Sequence, residues 1–205
     1  MGVFMWKLVL ALSLFTSSML SAETKVLAFS GSTRTDSINK KLVTEAGNLA
    51  KQLGATVTFI DLKDYPMPFY DGDIEKEQGM PNDAKRLRQL LIQNQVIFIA
   101  SPEYNGSLSA VLKNALDWAS RSEDGGSSRD AFKGKKFVLM SASPGQGGGT
   151  RGLAHLRSII EGIGGTVISQ QFVVPNAFEA FDSQGKLKNP QAGSELKQIV
   201  QQAIQ

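Results

Sequence analysis

Val96-Ile97-Phe98-Ile99-Ala100-Ser101-Pro102-Glu103-Tyr104-Asn105-Gly106 is an apolar run that breaks into a proline turn carrying an acid, an aromatic ring and an amide. Just beyond it, Leu108, Val111, Leu112, Ala115, Leu116 and Ala119 recur at the spacing of one helix face. A short, fully apolar run followed by an amphipathic helix reads as a buried strand feeding a crossover. Open α/β sheets hold their ligands outside the carboxyl ends of the strands. The proline turn falls at such an end, and the loops Gly31–Asn39 and Ser141–Arg151 read as occupying equivalent positions.

The 205 residues suit one domain with a complete core. Charged residues make up 20% and hydrophobic residues 41%, the balance of a folded soluble protein. A net charge of +3, with no Lys/Arg run longer than Lys135-Lys136, argues against a nucleic-acid partner. There is no cysteine, which excludes disulfides, thiolate nucleophiles, Cys-zinc sites and iron–sulfur clusters. The single histidine, His155, excludes a His-rich metal site, so no metal centre is expected. With so little catalytic side-chain chemistry available, the reaction is expected to belong to a bound cofactor.

Residues 1–22 read separately from the domain at 23–205. Lys7 is the only charge before Glu23, Leu8–Phe15 is apolar apart from Ser13, and Ala22 is a small residue ahead of a possible cut. This is the layout of a secretory signal peptide, and its apolar run is short for a membrane-spanning helix. Export would make the protein periplasmic or secreted, with no stable membrane insertion after processing. The alternative is initiation at Met19, which would leave the protein in the cytoplasm.

Within the domain, strands are expected at Lys25–Phe29, Thr56–Ile60, Val96–Ala100, Lys136–Ala142 and Thr166–Val173, the last of them broken or extended. Helices are expected over about 38–53, from Pro81 to about Asn94, after Leu108, over about 151–163 and over about 191–203. Asp61–Gly79, with Pro66 and Pro68, reads as a long loop, and Arg121–Gly134 as a polar one. Strands alternating with helices predict an α/β fold, a three-layer sandwich around a five-stranded parallel sheet. The flavodoxin-like order 2-1-3-4-5 fits that count.

Each of the three loops has a bland reading beside a chemical one. Gly31–Asn39 offers hydroxyls, Arg34 and a helix N-terminus that would favour a phosphate monoester. It also fits an ordinary polar turn capped by Ser37. Pro102–Ser107 offers a stiff turn with Tyr104 to pack on a ring and Asn105 to bond its polar edge. It equally fits a surface turn before a helix capped by Ser107 or Ser109. Ser143–Arg151 offers glycines that permit close backbone approach, which is weak evidence alone. His155 reads as a flank or interface residue rather than a base. Together the loops suggest a mononucleotide with a flat headgroup.

Three motifs carry a resemblance: Gly-Ser-Thr-Arg-Thr-Asp-Ser-Ile-Asn at 31–39, Pro-Glu-Tyr-Asn-Gly-Ser at 102–107 with Leu-Lys-Asn-Ala-Leu-Asp-Trp at 112–118, and Ser-Pro-Gly-Gln-Gly-Gly-Gly-Thr-Arg at 143–151. In their order and spacing the chain resembles the NAD(P)H-dependent FMN reductases, the group that includes quinone and chromate reductases. The resemblance implies FMN as cofactor and NADPH or NADH as co-substrate. It further implies ping-pong electron transfer to a small-molecule acceptor such as a quinone, flavin, azo dye or metal oxyanion, and a homodimer or homotetramer. It places Ser32, Arg34, Ser37 and Asn39 at the FMN phosphate. Pro102, Glu103, Tyr104, Asn105 and Gly106 would stand along the ring, and Ser143, Gly145, Gly147 and Gly148 would close the other side. No protein residue need act as acid or nucleophile. Ser109-Ala110 stands where the family commonly has Pro-Gly, which bears on the pocket rim and on substrate preference. A non-enzymatic FMN electron carrier and an FMN-binding sensor module remain alternatives, although carriers tend to be acidic and this chain has a pI near 9.1.

Overall fold

The runs Lys25–Ser30, Val96–Ala100 and Lys136–Ala142 become central strands because they are buried on both faces of one sheet, whereas Thr56–Asp61 lies at its edge and is partly exposed. The computed structural model describes residues 23–205, and the expected signal peptide at 1–22 lies outside the described residues. The elements are β1 (Lys25–Ser30), α1 (Ile38–Gln52), β2 (Thr56–Asp61), α2 (Gly72–Gln78), α3 (Asn82–Gln93), β3 (Val96–Ala100), α4 (Ala110–Ala119), β4 (Lys136–Ala142), α5 (Thr150–Gly162), β5 (Thr166–Val167), β6 (Phe172–Val174) and α6 (Pro190–Ile204). The sheet is parallel, with order β2-β1-β3-β4-β5, and β6 also pairs with β4. This is the expected 2-1-3-4-5 arrangement, with the last strand in two pieces. β5 pairs with the start of β4 and β6 with its end. Arg157 fills the interval by donating to the carbonyls of Ile168 and Ser169, at 2.7 and 3.1 Å.

Side chains alternate across the pleat, so one set of strand residues faces each helical layer. Val26, Ala28, Phe98, Val138 and Met140 pack with Leu42, Val43 and Ala46 of α1 and Leu196, Ile199 and Val200 of α6. Leu27, Phe29, Ile97, Ile99 and Leu139 pack with α3, α4 and α5 through Leu87, Leu91, Leu112, Leu116, Leu153 and Leu156. The two ends of the domain meet at the amino end of the sheet, where the Thr24 hydroxyl donates to the carbonyl of Ile204 at 3.0 Å.

The stretch Asp61–Gly79 is not one long loop. It holds a 3₁₀ turn at Leu62–Asp64 and the helix α2. No residue of α2 is buried, so it lacks the apolar periodicity by which helices are read. Its cap, Asp71 accepting from the Asp73 N–H at 2.8 Å, was the available signal. Ion pairing and aromatic contact hold it instead. Arg121 grips Glu75 with Nε at 2.8 Å and Nη2 at 2.7 Å, and the Tyr70 hydroxyl donates to the same carboxylate at 3.2 Å. Tyr70 meets Trp118 edge-on, with ring centroids 5.0 Å apart. Asn114 and Trp118 both donate to the Pro68 carbonyl, at 2.9 and 2.8 Å. The polar loop after α4 is pinned by buried Arg88, which donates to the Arg121 carbonyl, Ser128 and Asp130.

Arg121→Ala strands the Glu75 carboxylate, so it should cost about 2–3 kcal/mol by denaturant unfolding. The Arg121 hydrogen bonds hold the Glu75 carboxyl below its ordinary range. A depressed folded-state pKa contributes stability in full above the unfolded value and loses it as pH falls through the folded one. The gap between wild type and variant should therefore narrow from neutral to strongly acidic pH.

Candidate functional site

Two strands end at one level and a third ends two residues further on. Ser30 is paired with Ala100, and Ala100 with Met140, so the loops after β1, β3 and β4 open side by side. The Gly31 N–H bonds the Ala100 carbonyl at 2.9 Å. A Cβ at Gly31 would stand 2.8 Å from Leu112 Cδ2, so the glycine is what lets α4 close on this loop. Ser109 caps α4, accepting from the Leu112 N–H, and its hydroxyl donates to the Gly31 carbonyl. Ser109 thus ties the first two loops together.

The first loop wraps the start of α1. Ser37 is the N-cap, accepting from the Lys40 N–H at 3.4 Å. Ser32 is buried and accepts from the Arg34 N–H at 3.3 Å. The N–H groups of Thr33, Thr35 and Asp36 donate to nothing within the described residues. Exposed Arg34 forms no ion pair there either.

The second loop is a two-residue hairpin. Tyr104 and Ser107 exchange both backbone bonds at 2.9 and 3.0 Å, and Asn105 and Gly106 both have positive φ, 52° and 81°. That is the type I′ turn for which Asn-Gly is the preferred sequence. Asn105 is therefore placed as a turn former, and Tyr104 is left half exposed. Glu103 has partners that lie far away in sequence. Its carboxylate accepts from the Gly152 N–H at 3.0 Å and from Arg151 Nη2 at 2.7 Å. The Gly152 N–H, then Arg151, hold its carboxyl below the ordinary range, so Glu103 stays an acceptor rather than an acid at neutral pH. Exposed His155 stands on the outside of this turn, Nδ1 3.1 Å from Ser107 Oγ.

The third loop needs its glycines for contact. At Gly149, where φ is +94°, a Cβ would collide with Ser141 Oγ, a buried hydroxyl without a hydrogen-bond partner among the described residues. At Gly148 it would stand 3.0 Å from Val173 Cβ. Both permit α5 to start hard against the sheet.

One cleft joins the loops. Its walls are Ser32, Arg34 and Ser37 on one side, Pro102, Glu103 and Tyr104 on another, and Ser143, Pro144 and Phe178 on a third, with Asp36, Ile38, Asn39 and Ala142 between. Of the residues expected at the site, Asn105, Gly106, Gly145, Gly147 and Gly148 lie outside these walls, in the turns that shape them. Asn39 lies within the walls, but its amide is engaged. Nδ2 donates to the Ala142 carbonyl and Oδ1 accepts the Ala142 N–H, both at 2.9 Å. It bridges α1 to the end of β4 as a strand neighbour would. Phe178 was not expected, because it sits in the segment after Pro175 that reads as irregular. Composition does not separate it from Phe181, three residues on, which is buried in the core.

The family model for NADPH-dependent FMN reductases matches residues 24–179. The chain is 32% identical over 187 residues to an NAD(P)H-dependent FMN reductase of Pseudomonas aeruginosa, covering 91% of this chain and 94% of that one. It is 35% identical over 181 residues to an NADPH:quinone oxidoreductase of Arabidopsis thaliana, covering 86% and 88%. Among solved structures it is similar to the flavoenzyme NAD(P)H:(acceptor) oxidoreductase FerB of Paracoccus denitrificans, with TM-score 0.74, 26% identity and coverage of 88% and 95%.

Asn39→Ala leaves both Ala142 backbone groups unpaired in the core. It should cost about 2–4 kcal/mol in chemical denaturation.

Proposed function

Because the chain belongs to the NADPH-dependent FMN reductase family, enzymes of NAD(P)H:quinone and FMN oxidoreduction, we propose that it binds FMN in this cleft and transfers electrons from NAD(P)H to a small-molecule acceptor by a ping-pong route. Quinones, flavins, azo compounds and metal oxyanions are the acceptor classes. The observation that carries the reading is the contrast between the cleft's two ends. At one, unpaired N–H groups and an ion-pair-free arginine gather at a helix N-terminus. At the other, half-exposed Tyr104 stands on a rigid turn.

The residues fit the group. The N–H groups of Thr33, Thr35 and Asp36, the Ser32 hydroxyl and Arg34 would hold a phosphate dianion, as an anion nest does. Ser37 and Asn39 set the loop's shape and would act through it. Tyr104 and Pro102 would orient the ring, and the N–H groups of Glu103 and Gln146, unpaired within the described residues, would bond its polar edge. When bound, the flavin supplies hydride acceptance and electron delivery. NAD(P)H gives up a hydride, two electrons and one hydrogen, and with one further proton from water these reduce the acceptor, so a quinone departs as the hydroquinone. The chain's share is orientation and shielding. Glu103, held ionised, moves no proton.

We also read the protein as a homodimer or homotetramer. A cleaved leader ahead of Glu23 would put the domain outside the cytoplasm, where a donor other than NAD(P)H would be required.

The purified protein should be yellow and bleach rapidly on anaerobic addition of NADPH. A yellow protein that stays coloured would overturn the reductase reading, and a colourless one that takes up no FMN would overturn the cofactor. Arg34→Ala should weaken FMN binding roughly 10- to 100-fold, the scale of a lost charge-assisted contact. Full flavin content in that variant would remove Arg34 from the phosphate site.

A further inference from the structure

Phe178 is 75% exposed, yet the turn carrying it is tied down on both sides. Pro175 follows the end of β6, and Asn176 takes the left-handed conformation with φ 49°. Its N–H points to the Gly145 carbonyl at 3.4 Å, and the N–H of fully buried Ala177 bonds the Ser143 carbonyl at 3.0 Å. On the far side, Ala180 N–H returns to the Ala177 carbonyl, and Phe181 is buried in the core. A fixed backbone therefore holds a large apolar ring in water. Core packing does not account for it. Phe69 is equally exposed, at 74%, but takes no part in the cleft, whereas Phe178 lines it with Tyr104 and Pro144.

Phe178 sits in the turn after β6, bonded to the loop after β4 and three strand spacings from β1, so about 14 Å from the loop with the phosphate donors. It has no hydrogen-bonding group to offer an anion. Its chemistry and its position both select the flat, apolar part of a ligand.

We propose that Phe178 is a binding residue for the flavin ring, the second aromatic wall of a site whose first wall is Tyr104. This rests on reading the cleft as an FMN site. The aromatic contact shields the ring from water on the side of the β4 loop and draws no affinity from the phosphate.

Binding of FMN and of riboflavin, followed by flavin fluorescence, tests this. Phe178→Ala should weaken both flavins by the same factor, about three- to tenfold for one aromatic contact, and Phe178→Tyr should restore binding. Arg34→Ala should weaken FMN far more than riboflavin. Removing so exposed a side chain should leave Tm unchanged. The proposal is overturned if Phe178→Ala binds both flavins like wild type, or loses FMN alone. It is equally overturned if flavin affinity holds while only the KM for a quinone rises, since Phe178 would then touch the acceptor. Failure of the cleft reading itself looks different: wild type would take up neither flavin, and the proposal would fall with it.

Discussion

Three central strands buried on both faces must open their loops along one edge, and that constraint organises the molecule. Strands β1, β3 and β4 offer no side chain to solvent along most of their length. Polar function can therefore gather only at the rim where they stop. The rim is cross-braced by bonds that ignore sequence order. Gly31 bonds Ala100, Ser101 bonds Met140, Ser109 bonds Gly31, Asn39 bonds Ala142 and Glu103 bonds Gly152. Each loop is held by its neighbour, so the rim behaves as one preorganised surface rather than as separate flexible segments.

The polar residues of that rim divide by what they already bond. Asn39, Ser109 and Glu103 are engaged by the protein through both polar functions of their side chains and fix its shape, and Ser37 caps α1. Arg34, Tyr104 and Phe178 face outward with little or nothing from the chain to satisfy them. A motif read along the sequence merges these two groups, because both sit at the same loops. Only the partners separate a residue that builds the site from one that faces its occupant.

That division marks where the sequence was legible. Val96–Ala100 and Lys136–Ala142 were read to the residue because an unbroken apolar run can be satisfied only by burial on both sides. The loops following them were located for the same reason. Helix α2 was not legible, since it buries nothing and is held by an arginine 46 residues away. The partner of Glu103 was not legible either, because Arg151 lies 48 residues further on. The engagement of Asn39 with a strand end 103 residues away leaves no trace in local composition. Asn105-Gly106 could have been recognised as a hairpin turn from the dipeptide alone.

The Thr24–Ile204 contact has a topological consequence. The two ends of the domain lie side by side at the amino end of the sheet, about 20 Å along β1 from the cleft. A short linker there would close the chain without shifting any strand register. New ends opened at the exposed Gly125-Gly126 turn, between α4 and the start of β4, would also emerge on the side away from the rim. The fold is thus suited to circular permutation and to tethering from behind, with the mouth of the cleft left clear for whatever it receives.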